Sequence, residues 1–122
     1  MKNKLKIYII HYSKLSERKE YMNQILDNLN IDFEFIEKFD KETLNEIDLS
    51  KYYHHNEENF NNKVKLWGDR ANKYSRMSDS EISCTLKHIE ALRLINEGEH
   101  EYNLILEDDV IPQCKNFINE IN

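Results

Sequence analysis

The chain opens on LKIYIIH, residues 5–11, a run with almost no polar interruption and rich in β-branched and aromatic side chains. A strand that faces water on one side alternates apolar with polar residues. A run this apolar predicts a strand covered on both faces, as in a parallel sheet. A short polar turn, HYSKLS, follows it. Met22, Ile25, Leu26 and Leu29 then recur at i, i+3, i+4 and i+7, which predicts a helix with one apolar face. Ser16 is the expected N-cap of that helix, because its hydroxyl can satisfy a free amide of the first turn. Residues 32–36, DFEFI, alternate as a second strand does. A strand, a helix and a strand in this order predict an α/β sheet.

The pattern resumes after a less regular stretch. Leu44, Ile47 and Leu49, then Tyr52 and Tyr53, suggest one or two short helices. HHNEENFNNKVK shows no periodicity, so residues 54–77 are expected to form an irregular loop. SDSE, residues 78–81, has the form of a capping box, with Ser78 and Glu81 satisfying each other's amides. Ile82, Leu86, Ile89 and then Leu92 or Arg93 trace the inner face of the helix that follows. Gly98 is placed to end it. YNLILE, residues 102–107, is apolar throughout and predicts a central third strand, stopped soon after by Pro112. The tail NFINEI begins another helical pattern in which the chain ends. With neither a repeat nor a linker, residues 1–122 are expected to form one domain.

Composition narrows the function classes. A net charge of −6 argues against sequence-independent affinity for nucleic acid or anionic membrane. Cys84 and Cys114 are too few for a disulfide framework, so reduced thiols are expected. No apolar run approaches the roughly 18 residues of a membrane span. The basic start is followed by too short an apolar stretch for a signal peptide, so a cytoplasmic location is expected.

The feature that points to chemistry is the end of the third strand. Glu107, Asp108 and Asp109 stand in a row where an open α/β sheet places its ligands. Alternation sends Glu107 and Asp109 to one side and Asp108 to the other. Hard oxygen donors so spaced suit Mg²⁺ or Mn²⁺, which would relieve their mutual repulsion and bridge a diphosphate leaving group. A solvated acidic turn is the competing reading. His54 and His55 with Glu57 and Glu58 form a weaker constellation, better read as a solvated loop. Trp67 and Tyr74 are better read as packing than as a sugar platform.

Four segments in order, IYIIHYSKLSERKEYM, FDKET, SEISCTLKHIEALRLI and LILEDDVIP, resemble successive motifs of glycosyltransferase family 25, the lipopolysaccharide and collagen galactosyltransferase-like group. The resemblance spans residues 5–112. It implies a GT-A fold, a Rossmann-like nucleotide-sugar-binding sheet. It implies transfer of a sugar from a UDP-sugar, UDP-galactose or UDP-glucose, to a saccharide or hydroxylysine acceptor. The acid triplet is similar to the family's DxD-type element, with Mn²⁺ or Mg²⁺ on Glu107 and Asp109 and the donor beside Asp108. Tyr12, Arg18, Asp40 and His88 match family positions near the donor. Glu81 and Cys84 keep the family's helix pattern, and they also suit a capping box and a small buried residue. Ser80 and Ser83 stand where the family has glycines. Lys87 replaces a serine and would reach a phosphate or face water. Family catalytic domains are longer, with the acceptor site and base beyond the acid triplet. The sequence therefore leaves two readings, a donor-binding glycosyltransferase domain or a non-catalytic binding module of the same fold. A homo-oligomer that supplies the remaining elements from a second copy is compatible with the first.

Overall fold

The computed structural model describes residues 4–53, 57–68 and 77–110. The chain divides into two compact units, Met1–Lys38 with Lys87–Asn122, and Phe39–Leu86.

The first unit is built on a parallel sheet of β1 (Leu5–Ile10), β2 (Asp32–Ile36) and β3 (Tyr102–Glu107), in the order β2-β1-β3. The apolar opening run is thus the central strand. Ile7 and Ile9 are wholly buried on one face, and Tyr8 and Ile10 are buried on the other. Helix α1 (Ser16–Asn28) covers the first face, where Met22 and Leu26 join Leu5, Ile7, Ile9 and Ile31 in one cluster. Phe33, Phe35, Leu104 and Leu106 close its sides. On the other face, a Cβ at Gly98 would stand 3.8 Å from the Tyr8 hydroxyl. Gly98 follows helix α3 (Asp79–Glu97) and donates its amide to the Ile95 carbonyl, ending the helix as expected.

The second unit gathers Leu44, Ile82 and Leu86, with Phe39, Ile47, Leu49, Tyr53 and Met77 packed around them. Two 3-10 turns, Lys41–Glu46 and Leu49–Lys51, carry the first of these apolar groups. Ser83 donates to the Phe39 carbonyl at 2.6 Å, holding a residue whose φ of +71° is unusual for a bulky side chain. Ser78 and Glu81 form the expected capping box at the start of α3, each side chain 3.2 Å from the other's amide.

The structure corrects four expectations. Ser16 is not the N-cap of α1. A backbone bond from the Leu15 amide to the Tyr12 carbonyl closes the turn one residue earlier, so Leu15 is the cap and makes no side-chain cap bond. Among the described residues β3 stands at the edge of the sheet and not at its centre, paired with β1 alone. Residues 54–77 are not wholly irregular, since helix α2 spans Glu57–Trp67. The described α2 side chains are all exposed, so the helix buries none of them, although Phe60, Val64 and Trp67 stand at i, i+4 and i+7 in its sequence. Trp67 is half exposed. Finally, Ile89 and Leu92 of α3 point to solvent, and the buried residues are Ile82, Ser83, Leu86, Lys87 and Ala91. Two of those five are polar, and each is buried because a backbone carbonyl accepts its hydrogen bond. His54, His55, Tyr74, Pro112, Cys114 and the tail pattern lie outside the described residues.

Candidate functional site

Strand order decides where a site forms. From β1 the chain passes through α1 to β2 on one side, while β3 lies on the other side of β1. The carboxyl ends of β1 and β3 therefore diverge at a topological switch point, the place where open α/β sheets take ligands.

The register fixes what stands there. Ile10 pairs with Glu107, so the next residues, His11 and Asp108, come side by side just beyond the sheet. Both lie on the α1 face, in line with Ile7 and Ile9 and with Leu104 and Leu106. His11 Nδ1 is 2.9 Å from Asp108 Oδ2. Arg18, from the first turns of α1, places Nη1 3.2 Å from Asp108 Oδ1. The Asp108 carboxylate is thus bonded through both oxygens, with its side chain 11% exposed. The His11 side chain is fully buried and packs edge-on against Phe35, and its amide donates to the Ile36 carbonyl. Its Nε2 has no hydrogen-bond partner among the described residues. Arg18 has its side chain 54% exposed. It also lines a cavity of about 320 Å³ with Lys14, Leu15, Ser16 and Glu17.

The other face carries a different set. Lys87 is buried, and its Nζ donates to the His11 carbonyl at 2.5 Å and stands 5.9 Å from the Tyr12 ring centroid. Lys87 therefore does not face water. A ring nitrogen of His88 and a carboxylate oxygen of Glu107 lie within 4.8 Å of each other. The Val110 amide returns to the Glu107 carbonyl at 3.2 Å, so the chain turns sharply at Asp108 and Asp109. Glu107 and Asp109 are exposed.

Of the residues singled out in the sequence, Arg18 and Asp108 are in direct contact, Tyr12 lies by Lys87, and His88 lies by Glu107. Asp40 belongs to the second unit, where its carbonyl accepts from the Thr43 amide and hydroxyl, both at 2.9 Å. His11 was not among the residues expected at a site, and the burial of Lys87 was not foreseen. The signal for His11 was its place as the titratable residue ending an otherwise apolar run. For Lys87 the helix pattern gave no signal of burial.

Glu107 and Asp109 fit a divalent cation by chemistry. They are hard oxygen donors, solvent-accessible, and not consumed by the bonds that hold Asp108. Among the described residues no helix is long and apolar enough to cross a membrane. A family model described as glycosyltransferase family 25 (LPS biosynthesis protein) matches residues 4–122. No curated protein and no solved structure gives a significant match.

Proposed function

Because the chain belongs to glycosyltransferase family 25, we propose that the carboxyl ends of β1 and β3 bind the donor of a glycosyl transfer, a UDP-sugar carrying galactose or glucose. The observation that carries this reading is the contact of Arg18 and His11 with Asp108 at the switch point of a parallel sheet. Arg18 supplies an exposed guanidinium, whose planar fork suits phosphate oxygens. Asp108 supplies a fixed acceptor edge for sugar or ribose hydroxyls. Tyr12 and His88 flank the same strand ends on the α3 face.

Glu107 and Asp109 would hold Mn²⁺ or Mg²⁺. When bound, such an ion offsets the charge of the diphosphate and makes UDP a better leaving group. The chain's own groups orient the donor and hold its phosphates. The acceptor in this reading is a saccharide or hydroxylysine hydroxyl.

Calorimetric titration of UDP, with and without Mn²⁺, tests the proposal on the wild type and Asp109→Asn. The wild type is expected to bind UDP more tightly with Mn²⁺. Asp109→Asn keeps the side-chain shape and removes a charged ligand, so the Mn²⁺ enhancement should vanish. Equal enhancement in the two proteins at saturating Mn²⁺ would refute the metal role.

A further inference from the structure

His11 breaks the pattern of its own strand face. Leu5, Ile7 and Ile9 precede it on that face, and all are apolar and buried. The imidazole is buried as deeply, yet one of its two nitrogens has no partner among the described residues. A polar atom left unpaired in a dry site carries its full desolvation penalty. Packing alone would be served better by a fourth aliphatic residue. A local rule broken at a stability cost marks a position kept for another reason. Here that reason lies in what the other nitrogen holds.

Asp108 is gripped by two unlike donors. Arg18 is long and half exposed, and it can swing to an incoming anion without opening the core. His11 cannot move in this way, because its ring is enclosed and set against Phe35. When Arg18 turns to a phosphate, His11 alone keeps the Asp108 carboxylate in place. The geometry points to His11 as a positioning residue. Its Nδ1–H fixes the Asp108 carboxylate so that one oxygen faces the donor sugar nucleotide. This inference rests on the donor-site reading above.

Two measurements test it. The first is the ¹⁵N spectrum of the imidazole at pH 8, where histidine is ordinarily neutral. The Asp108 carboxylate can only accept, so hydrogen on Nδ1 is expected. The second is UDP affinity with Mn²⁺ in His11→Asn, His11→Gln and His11→Phe, each first checked for folding by circular dichroism. The asparagine amide falls where Nδ1 was, so affinity within about threefold of wild type is expected. Glutamine places its amide at the Nε2 position and phenylalanine has none. Both should bind about tenfold more weakly, as loss of one charge-assisted hydrogen bond implies. Should phenylalanine fail to fold, the asparagine–glutamine comparison and the tautomer decide the matter. Wild-type affinity in the glutamine or phenylalanine variant, tenfold loss in the asparagine variant, or a bare Nδ1 with hydrogen only on Nε2 would overturn the inference alone. No UDP binding by the wild type would overturn the donor-site reading and the inference with it.

Discussion

Replacing Asp108 with asparagine isolates what the buried end of the site contributes to stability. The carboxylate faces two donors with two oxygens, Arg18 at 3.2 Å and His11 Nδ1 at 2.9 Å. An amide has one oxygen and one NH₂ group, so it can satisfy only one of them in place. If its oxygen faces His11, the NH₂ meets the guanidinium and a half-exposed ion pair is lost. Screening by solvent limits that loss to about 1 kcal/mol or less. The bond retained at His11 is then neutral, which costs about another 1 kcal/mol. If instead the NH₂ faces His11, the ring must move its hydrogen to Nε2. That buries a donor where no acceptor stands among the described residues, at about 1–3 kcal/mol. Either route gives a destabilisation of about 2 kcal/mol. Arg18→Gln removes only the exposed contact and should cost about 1 kcal/mol or less. Urea unfolding followed by circular dichroism measures both, with a lower midpoint at unchanged slope as the mark of a stability change. A loss below about 0.5 kcal/mol in Asp108→Asn would refute the reasoning. So would a larger loss in Arg18→Gln than in Asp108→Asn.

Other parts of the molecule give further expectations. Ser83→Ala leaves the Phe39 carbonyl without its 2.6 Å donor; a loss of about 1–2 kcal/mol is expected in the same urea assay, and an unchanged midpoint would refute the bond's role. The hydrogen bond from Arg93, aided by the charge of Lys38, holds the Glu90 carboxyl below its usual range, against the opposing effect of burial. A depressed folded-state pKa gives stability that is present above the ordinary carboxylate value, about 4.3, and is lost as pH falls through the lowered one. NMR titration should therefore show the Glu90 pKa rising in Arg93→Gln, and no change would refute the assignment. Helix α2 has 11 residues and no buried face among those described. Its amides should exchange with little protection, since so short a helix is marginal without packing; protection equal to that of α1 would show a partner for this helix.

The parts of the fold that follow from burial were legible, and those that follow from polar pairing were not. LKIYIIH announced a strand covered on both faces, and it is the central strand. Met22 and Leu26 announced the face of α1, and both are wholly buried. β3 looked equally apolar, but apolar content cannot rank two buried strands, and pairing set the order. The inner face of α3 was misread because Ser83 and Lys87 enter it through hydrogen bonds to carbonyls far away in sequence. Hydrophobic periodicity has no access to such acceptors. Helix α2 was missed although Phe60, Val64 and Trp67 recur at i, i+4 and i+7, because the polar residues around them were read as a loop. At the site, Arg18 and Asp108 were named from the resemblance, and the structure joins them. His11 was passed over because its role depends on the β1–β3 register, which a single strand does not contain.

That register also changes the argument about the three acids. In sequence they form one run of like charge, and a shared cation is the natural remedy for their repulsion. In the folded chain the run is split across the sheet. Glu107 lies near His88 on the α3 face, and Asp108 lies between His11 and Arg18 on the α1 face. The turn closed by Val110 then carries Asp109 into solvent. A strand end separates neighbours because successive side chains leave on opposite faces. Asp108 is already compensated by an arginine, so repulsion within the triplet supplies no strong demand for an ion. What would draw a cation is the charge of a diphosphate arriving beside Glu107 and Asp109. On the proposed donor-site reading, metal affinity and nucleotide affinity would be one coupled quantity, each ligand raising the affinity for the other by the same factor. This is why the site is to be probed with nucleotide and metal together.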